Sequence, residues 1–335
     1  MSAETIIKEV TERKIENETV RVLFDGYCDT RILNEVGNIV DQIPSELREP
    51  IIHTLGSHIT KEKPMMVYSA LRSKEISDNK AIPISATVDI LWALSLMYDD
   101  MFDQDKKRAG ETSAWVKFGS DTTFKSAQAG LEAVKDRLNL AVGSEAGQTV
   151  DKYIGKSLVS LKEHKQIKLG SGVECLLTNY SHRSLFHTGL PFALVDIPTF
   201  SSETSFIALD IVNIAGQILN DLKDVSPKYA WIRESFSDIR TAVTTVPIEI
   251  MFGSLPEHDK EKFKSMFGKA NLEDDEKETI INMFSQAKAI DKIVTLAEEL
   301  YRLCQFGFEK SIDTQYTDYT NKWINYKRSQ LKELV

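Results

Sequence analysis

Apolar residues recur at spacings of three and four along most of the chain, and runs that alternate apolar with polar residues, as strands do, are essentially absent. A period of about 3.6 residues places the apolar side chains on one face of a helix. The clearest predicted helix covers residues 82–103, where Ile84, Val88 and Leu91 follow this spacing. The pattern predicts further helices over residues 122–138, 149–168, 173–190, 205–224, 279–308 and 317–334.

Breakers between these predicted helices are few. The chain of 335 residues has only 16 glycines and 9 prolines, and no Gly/Ser-rich linker, low-complexity stretch or repeat divides it. Long helices without a repeat in one continuous chain are typical of a large helical bundle. We therefore predict an all-α protein with a single domain over residues 1–335, in which residues 1–30 form an N-terminal extension or a first helix.

Charge and cysteine content narrow the possible functions. A net charge of −9 opposes binding to a phosphate backbone, which favours a basic domain, so nucleic acid is not expected as a partner. Cys28, Cys175 and Cys304 are far apart and form no C-x-x-C pair, which fits a reducing cytoplasm. No secretory signal opens the sequence and no apolar run approaches the roughly 18 to 20 residues of a membrane helix. We expect a cytoplasmic protein without a membrane span.

The predicted helix over residues 82–103 ends in three carboxylates. Asp99, Asp100 and Asp103 form a D-D-x-x-D pattern, and its outer pair lies one turn apart on the same helix face, with about 6 Å between β-carbons. Carboxylates at a helix C-terminus oppose the helix dipole, which costs about 0.3 to 1 kcal/mol each, so they favour a compensating cation. Mg²⁺ prefers carboxylate and phosphate oxygens and completes its coordination with substrate phosphates and water. We predict that these three residues bind Mg²⁺.

A second cluster of the same kind ends the predicted helix over residues 205–224. It contains Asn220, Asp221 and Asp224, and its outer pair is again separated by four positions. A single acidic pattern is most often a solvated helix face, but two copies that each end a long apolar helix favour a metal site. Arg108 follows the first cluster and is either a ligand for a diphosphate oxygen or part of a solvated basic loop.

These motifs resemble those of the superfamily of trans-isoprenyl diphosphate synthases and class I terpene synthases. Residues 99–103 are similar to its first aspartate-rich motif and residues 217–224 to its second, in which Asn220 replaces an aspartate. The resemblance covers roughly residues 57–247 and includes Phe118-Gly119. It implies a helical barrel of the isoprenoid synthase type, three Mg²⁺ ions that hold an allylic prenyl diphosphate, departure of pyrophosphate to leave a carbocation, and a homodimer.

Several residues depart from the contacts that synthases of this superfamily make with their second substrate, isopentenyl diphosphate. The resemblance places Thr60, Trp92 and Ala109 where those enzymes have a lysine, a histidine and an arginine, and only Lys63 keeps a charge. Each missing charge-assisted hydrogen bond to phosphate is worth roughly 1.5 to 3 kcal/mol, so losing three would abolish useful binding. The sequence therefore predicts either no second substrate or a different one. A shifted alignment, anchored only by Pro64, is the alternative for Thr60 and Lys63.

The residues that this superfamily uses to bind the allylic substrate are more fully retained. Arg183 takes the place of the lysine in the K-T pair that those enzymes use there, although the lysine of a later K-x-T-x-P segment is lost at Val243. We expect Arg108 and Arg183 to be catalytic residues that bind the substrate diphosphate. Gln217 and Lys223, within the second motif, are predicted to contact the substrate.

Aromatic side chains near the clusters are candidates for a pocket that shields a carbocation from water. Trp92 lies almost two turns before Asp99, and its ring face is predicted to stabilise the cation through a cation–π interaction. Phe186 and Tyr98 are weaker candidates. Plain core packing is the alternative for each ring.

Two further pairs of residues bear on substrate length and on acid–base chemistry. Leu94 and Ser95 precede the first aspartate where this superfamily often places bulky residues that limit chain length, so a substrate of C15 or longer is expected. His182 and His187 share one predicted helix, and we expect them to be buried or hydrogen-bonded rather than a base or a metal site.

Three functional hypotheses follow. The leading one is a terpene synthase that ionises a prenyl diphosphate, rearranges or cyclises the cation and releases a hydrocarbon or alcohol. The alternative is a prenyltransferase, either a polyprenyl diphosphate synthase whose acceptor contacts come from elsewhere or an enzyme with another acceptor. A regulatory subunit of a heteromeric prenyl synthase is disfavoured because both acidic clusters are present.

Overall fold

The computed structural model describes residues 30–57, 62–108, 110–197, 204–226, 235–312 and 314–332. This part of the chain is helical apart from one short hairpin, which confirms the predicted all-α fold class. The predicted N-terminal extension lies outside the described residues except for its last position, where the first helix begins. The helices are α1 Thr30–Val40, α2 Ser45–Ser57, α3 Glu62–Arg72, α4 Asp78–Asp103, α5 Ala114–Phe118, α6 Ser120–Ala141, α7 Ala146–His164, α8 Val173–Arg183, α9 Leu185–Thr188, α10 Leu190–Ala193, α11 Thr204–Asp224, α12 Ser237–Arg240, α13 Val246–Ser254, α14 Glu257–Met266, α15 Asp274–Gln286, α16 Ala289–Ser311 and α17 Thr314–Lys332. The antiparallel strands are β1 Lys107–Arg108 and β2 Glu111–Thr112.

The predicted helices differ from the observed ones mainly where the chain turns without a glycine or proline. The helix predicted over residues 173–190 is divided at Ser184, whose hydroxyl donates to the carbonyl of Tyr180 at 2.8 Å. The helix predicted over residues 279–308 is two helices, α15 and α16, because Lys288 adopts a left-handed conformation with φ of 48°. The spacing of apolar residues does not predict α13, because that helix is apolar on nearly every face.

Helix α4 is the central element of the first half of the fold. It packs against α1, α2, α3 and α6, and its side chains are buried over most of its length. Among the described helices, α4 is also the one that is long and apolar enough to cross a membrane. The prediction that no apolar run approaches that length is therefore wrong. However, 78% of the most apolar window is buried inside the protein, which is the burial of a core helix.

Helix α11, which carries the second cluster, forms its most extensive contact with α16. The two helices approach closely at Gly307 of α16, where an added Cβ atom would lie 2.9 Å from the Cβ of Ala208. This small pair lets the helices pack with little space between their backbones. The buried apolar side chains of α4, α11 and α16 belong to one connected core that runs from Ile32 to Leu331.

Gly307→Ala adds a methyl group that overpacks the contact between α11 and α16, at a cost of about 1 to 3 kcal/mol. The gain in helix propensity offsets about 1 kcal/mol, so we expect the free energy of unfolding to fall by up to about 2 kcal/mol. Gly155→Ala is the matched control: Gly155 is exposed on α7 and a Cβ there meets nothing within 4 Å, so this variant should gain stability. Urea denaturation measures both changes. Equal stability of the two variants would contradict this expectation, because it would show that α11 and α16 accommodate the added methyl group without loss of stability.

Candidate active site

The first acidic cluster forms the last turn of α4, which ends abruptly. Gln104 follows Asp103 in a left-handed conformation (φ 56°, ψ 32°), and its backbone N–H donates to the carbonyl of Asp100. The chain then reverses through the hairpin, in which Arg108 pairs with Glu111. This reversal brings Arg108 back to the end of α4.

Each carboxylate of the first cluster faces a cation of the protein itself. Arg108 Nε donates to Asp100 Oδ1 at 2.8 Å, and Arg108 Nη2 contacts both Asp100 and, at 3.4 Å, Asp99 Oδ2. Lys165, which follows α7, has its Nζ 2.9 Å from Asp103 Oδ1. The side chains of Asp99 and Asp103 are 34% and 33% exposed, whereas that of Asp100 is 4% exposed. The outer pair of carboxylates is therefore accessible, and Asp100 holds the arginine.

Burial and charge act in opposite directions on this ion pair. Burial raises the pKa of the Asp100 carboxyl, and the Arg108 charge offsets only part of that shift. Burial lowers the pKa of Arg108, but the carboxylates of Asp100 and Asp99 raise it by more, so the guanidinium stays charged. A permanent cation at this position pairs either with the carboxylates or with an anion that enters.

The second cluster differs from the first in exposure and in partners. Asn220 is exposed, whereas Asp221 and Asp224 are buried. The Asp224 carboxylate accepts the backbone N–H groups of Ser237 at 3.1 Å and Asp238 at 3.2 Å, so it joins the end of α11 to the start of α12. Both of its oxygens are engaged by backbone donors, which favours a structural role for Asp224 over the predicted metal ligation.

Two side chains orient the carboxylate of Asp221. Tyr180 Oη donates to Asp221 Oδ2 at 2.5 Å, and Gln217 Nε2 donates to Asp221 Oδ1 at 2.6 Å. Tyr180 Oη also accepts the N–H of Val246, at the start of α13, at 3.1 Å. Burial and then the Asp221 charge raise the pKa of Tyr180 well above its usual value, so its hydroxyl stays a donor. Gln217, predicted to contact the substrate, here holds a carboxylate.

His164 and Tyr180 connect the two clusters. Their ring centroids lie 5.6 Å apart, and the charges of Asp99 and Arg183 both act on the His164 imidazole. Burial and then nearby positive charges lower the pKa of His164 to about 3, so the ring is neutral. Tyr180 also holds Asp221, and Lys165, next to His164, pairs with Asp103, so residues at the end of α7 and on α8 contact both clusters. We call this region, with Arg183 at the end of α8, the mouth. Sequence analysis missed both His164 and Tyr180 because neither belongs to a short motif.

Of the other residues predicted to bind the substrate, one lies at the mouth and another packs in the core. Arg183 belongs to the mouth, with its Cζ 6.0 Å from the centroid of the Tyr180 ring. Tyr98 packs edge-on against Phe124 of α6 at 5.9 Å, and burial raises its pKa, which fits the core-packing alternative. Lys223 is half-buried in the last turn of α11.

A pocket lies beside the second cluster, between α3, α4, α9, α11 and α17, and its empty space, counted together with the adjoining open solvent, is about 630 Å³. Asn220 and Gln217 border the pocket on one side, and Trp92 and His187 border it on another. Phe186 packs edge-on against the His187 ring at 4.6 Å. The pocket therefore joins the predicted metal site to the aromatic residues that the sequence indicated.

Lys63 is held inside this pocket by three side chains. Its Nζ lies 3.0 Å from the centroid of the Trp92 ring and 3.3 Å from both Asn213 Oδ1 and His187 Nε2. His187 Nε2 is in turn 2.7 Å from Asn213 Oδ1. His187 is buried, as expected, and burial followed by the Lys63 charge lowers its pKa well below the usual value. The lysine ammonium thus occupies a face of the indole that the sequence assigned to a carbocation.

Four more residues carry predictions from the sequence. Thr60 and Ala109, which mark altered contacts to a second substrate, lie outside the described residues. Leu94 is buried against α6, where a Cβ on Gly130 would lie 3.0 Å from its Cδ2. The Ser95 hydroxyl forms a 2.7 Å hydrogen bond within α4. The expected substrate length of C15 or longer stays a prediction.

In the part of the chain that the structure describes, no group of three or more His, Cys, Asp or Glu side chains is placed to hold a metal ion by itself. The accessible donors at the mouth are the carboxylates of Asp99 and Asp103 and the amide of Asn220. Such oxygen donors suit a hard divalent cation, provided that the phosphate oxygens of a bound ligand complete the coordination.

Solved structures with a similar fold include three that cover most of the chain. A decaprenyl diphosphate synthase from Rhodobacter capsulatus has a TM-score of 0.76 at 17% identity and covers 93% of this chain and 99% of its own. A polyprenyl synthase from Caulobacter crescentus CB15, complexed with calcium and isoprenyl diphosphate, has a TM-score of 0.75 at 13% identity over 93% and 97%. A geranylgeranyl pyrophosphate synthetase from Pyrococcus horikoshii Ot3 has a TM-score of 0.69 at 17% identity over 98% and 99%. No curated protein sequence matches the chain.

At these identities the solved structures show the fold, which is the isoprenoid synthase fold that the resemblance implies. The sequence model of the polyprenyl synthetase family matches residues 44–284. These similarities support the prenyltransferase alternative better than the leading terpene synthase hypothesis. Because the match covers more than two thirds of the 335 residues, the chain belongs to the polyprenyl synthetase family.

Proposed function

We propose that this chain is a Mg²⁺-dependent prenyltransferase that ionises an allylic prenyl diphosphate of C15 or longer and transfers the prenyl group to an acceptor. The mouth carries this proposal: Lys165, His164 and Tyr180 link the ends of α4 and α11, with Arg108 and Arg183 beside them. Departure of pyrophosphate needs oxygen ligands for metal and arginines for phosphate at one place, in a site that excludes water.

Residues of both clusters would hold the metal. Asp99 and Asp103 are the accessible carboxylates of α4, and Asn220 is the accessible residue of α11. The buried Asp221 is included because its partners, Tyr180 and Gln217, are side chains rather than backbone donors. Mg²⁺, when bound, neutralises the charge that develops on the leaving pyrophosphate. The count of three ions stays a prediction, and the backbone hydrogen bonds of Asp224 argue that this residue is not among the ligands.

The protein's own cations would change partners when the diphosphate binds. Arg108 and Lys165 pair with the first cluster in the ligand-free chain. Phosphate oxygens accept charge-assisted hydrogen bonds as strong as those of carboxylates, so an entering diphosphate competes for both cations. The same step frees the carboxylates for metal. Metal and substrate therefore bind as a set.

Prenyl transfer is proposed over cyclisation because family membership favours it. Ionisation without an acceptor would instead release a hydrocarbon or alcohol, as the terpene synthase hypothesis requires. The cytoplasmic location and the homodimeric assembly stay predictions from the sequence.

Incubation of the purified protein and Mg²⁺ with geranyl, farnesyl and geranylgeranyl diphosphates, each with and without isopentenyl diphosphate, tests the proposed function. We expect pyrophosphate release that EDTA abolishes, and mass spectrometry before and after phosphatase treatment identifies the products. Asp99→Asn should slow release by about 100-fold or more, because it removes a metal ligand. Asp121→Asn is the control, since Asp121 is 79% exposed and, within the described structure, pairs with neighbouring Lys125 on α6. Absence of release would overturn the proposal, and a cyclic hydrocarbon formed without an acceptor would restore the terpene synthase hypothesis.

Metal binding should depend on the diphosphate. We expect Mn²⁺, followed by electron paramagnetic resonance in place of Mg²⁺, to bind at least about tenfold more tightly when pyrophosphate is present, because pyrophosphate draws Arg108 and Lys165 away. Lys165→Met removes the ion pair with Asp103 and should strengthen Mn²⁺ binding in the absence of pyrophosphate. Equal Mn²⁺ affinity with and without pyrophosphate would contradict the exchange of partners.

Tyr180→Phe should weaken metal binding by about 10- to 100-fold, because the hydroxyl orients the Asp221 carboxylate. The variant also leaves the N–H of Val246 without its acceptor, so we expect a loss of about 1 to 3 kcal/mol in the free energy of unfolding. Tyr153→Phe is the matched control: Tyr153 is buried on α7, and its hydroxyl bonds to neither acidic cluster in the described structure. Mn²⁺ titration of both folded variants separates the two effects. Unchanged Mn²⁺ affinity in Tyr180→Phe would show that Asp221 needs no orientation.

A further inference from the structure

The pocket beside the second cluster is placed to hold the acceptor, and the inference that follows rests on the proposed prenyl transfer. Asn220 belongs both to the wall of this pocket and to the second cluster, and Gln217, on the same wall, holds Asp221 of that cluster. A molecule in the pocket therefore lies next to the mouth where the allylic diphosphate would ionise. The chemistry of the pocket wall decides which acceptor fits.

The charge of Lys63 is already satisfied by the protein. The ammonium has three N–H donors, and at least two of them meet the Trp92 ring face at 3.0 Å and Asn213 Oδ1 at 3.3 Å. His187 closes the group through its contacts to both Lys63 and Asn213. An anionic acceptor would have to break these contacts. Lys63 therefore contributes less to the binding of a diphosphate than its charge alone suggests.

The rest of the wall offers little positive charge. Among the described residues that line the pocket, Lys327 of α17 is the second cation, and its Nζ lies 5.3 Å from the centroid of the Trp323 ring. A diphosphate group needs several charge-assisted hydrogen bonds, and each missing one weakens binding by about 10- to 100-fold. Two lysines that both rest on indole rings make a poor diphosphate site.

The same wall suits an aromatic molecule. Trp92 and Trp323 contribute indole rings, Leu209 and Val212 are apolar, and the amide of Asn213 is already bonded within the protein. Aromatic rings favour stacked or edge-on contacts with other aromatic rings. An uncharged ring that carries a hydroxyl group matches this combination of an apolar, aromatic wall and the exposed amide of Asn220 at its edge.

We infer that this pocket takes an uncharged aromatic acceptor, of the phenol or naphthol class, in place of isopentenyl diphosphate. In the reaction, the C1–O bond of the prenyl diphosphate breaks and its electron pair leaves with pyrophosphate. A ring carbon or the hydroxyl oxygen of the acceptor forms a bond to C1. The proton lost from the attacked atom passes to the released pyrophosphate, so atoms and charge balance without an oxidant or reductant.

Titration calorimetry tests this inference on the full chain loaded with Mg²⁺ and farnesyl thiolodiphosphate, an analogue that does not ionise readily. We expect 1-naphthol to bind at least about tenfold more tightly than isopentenyl diphosphate, and farnesyl diphosphate with 1-naphthol to give a farnesylated naphthol by mass spectrometry. Isopentenyl diphosphate that binds as tightly as 1-naphthol would overturn the inference, and so would the absence of naphthol binding. If the thiolodiphosphate itself shows no Mg²⁺-dependent binding, the proposed function fails first, which distinguishes the two failures.

Gly216→Leu locates the naphthol. Gly216 lines the pocket, and an added Cβ there meets nothing within 4 Å, so a leucine side chain enters open space without a clash at its first atom. We expect this variant to weaken 1-naphthol binding at least about tenfold. Gly155→Leu, an exposed helical glycine that also has open space around it, is the matched control and should bind 1-naphthol like the parent. Parental naphthol affinity in Gly216→Leu would place the ligand elsewhere and overturn the inference.

Discussion

Carboxylates at the C-terminal ends of two long helices are the constraint on which the rest of this structure depends. The helix dipole disfavours negative charge at such a position, and burial of Asp100 adds to the cost. The fold answers with cations from other segments: Arg108 arrives through a hairpin and Lys165 from the end of α7. The hairpin and the end of α7 therefore place these two cations beside the carboxylates of α4.

The two acidic clusters reach electrostatic balance in different ways. The first is balanced by side-chain cations, whereas the second is balanced by hydrogen-bond donors: a tyrosine, an amide and the backbone. Tyr180 and Gln217 hold Asp221, and Asp224 is enclosed by the start of α12. The proposed exchange of partners on diphosphate binding therefore concerns the α4 side of the mouth.

The sequence predicted the all-α fold and the positions of both clusters well, because long apolar helices and closely spaced acids leave a direct signature. It did not predict His164 or Tyr180, since their roles arise from contacts between helices that no local pattern records. The contact between Lys63 and Trp92 joins residues on two different helices, so the sequence showed each residue but not their pairing. The break between α15 and α16 at Lys288 was not predicted, because nothing in the sequence distinguishes a lysine in the left-handed conformation from a lysine within a helix.

The enclosure of Asp224 has a consequence for how this motif is interpreted in mutagenesis. Its carboxylate caps the first N–H groups of α12, so a substitution there disturbs the fold of the segment after α11 before it touches any bound ion. Loss of activity in an Asp224 variant would then result from a disturbed fold, although it would look like the loss of a metal ligand. One short motif, residues 217–224, therefore contains both a residue placed for metal binding, Asn220, and a residue that maintains the fold, Asp224.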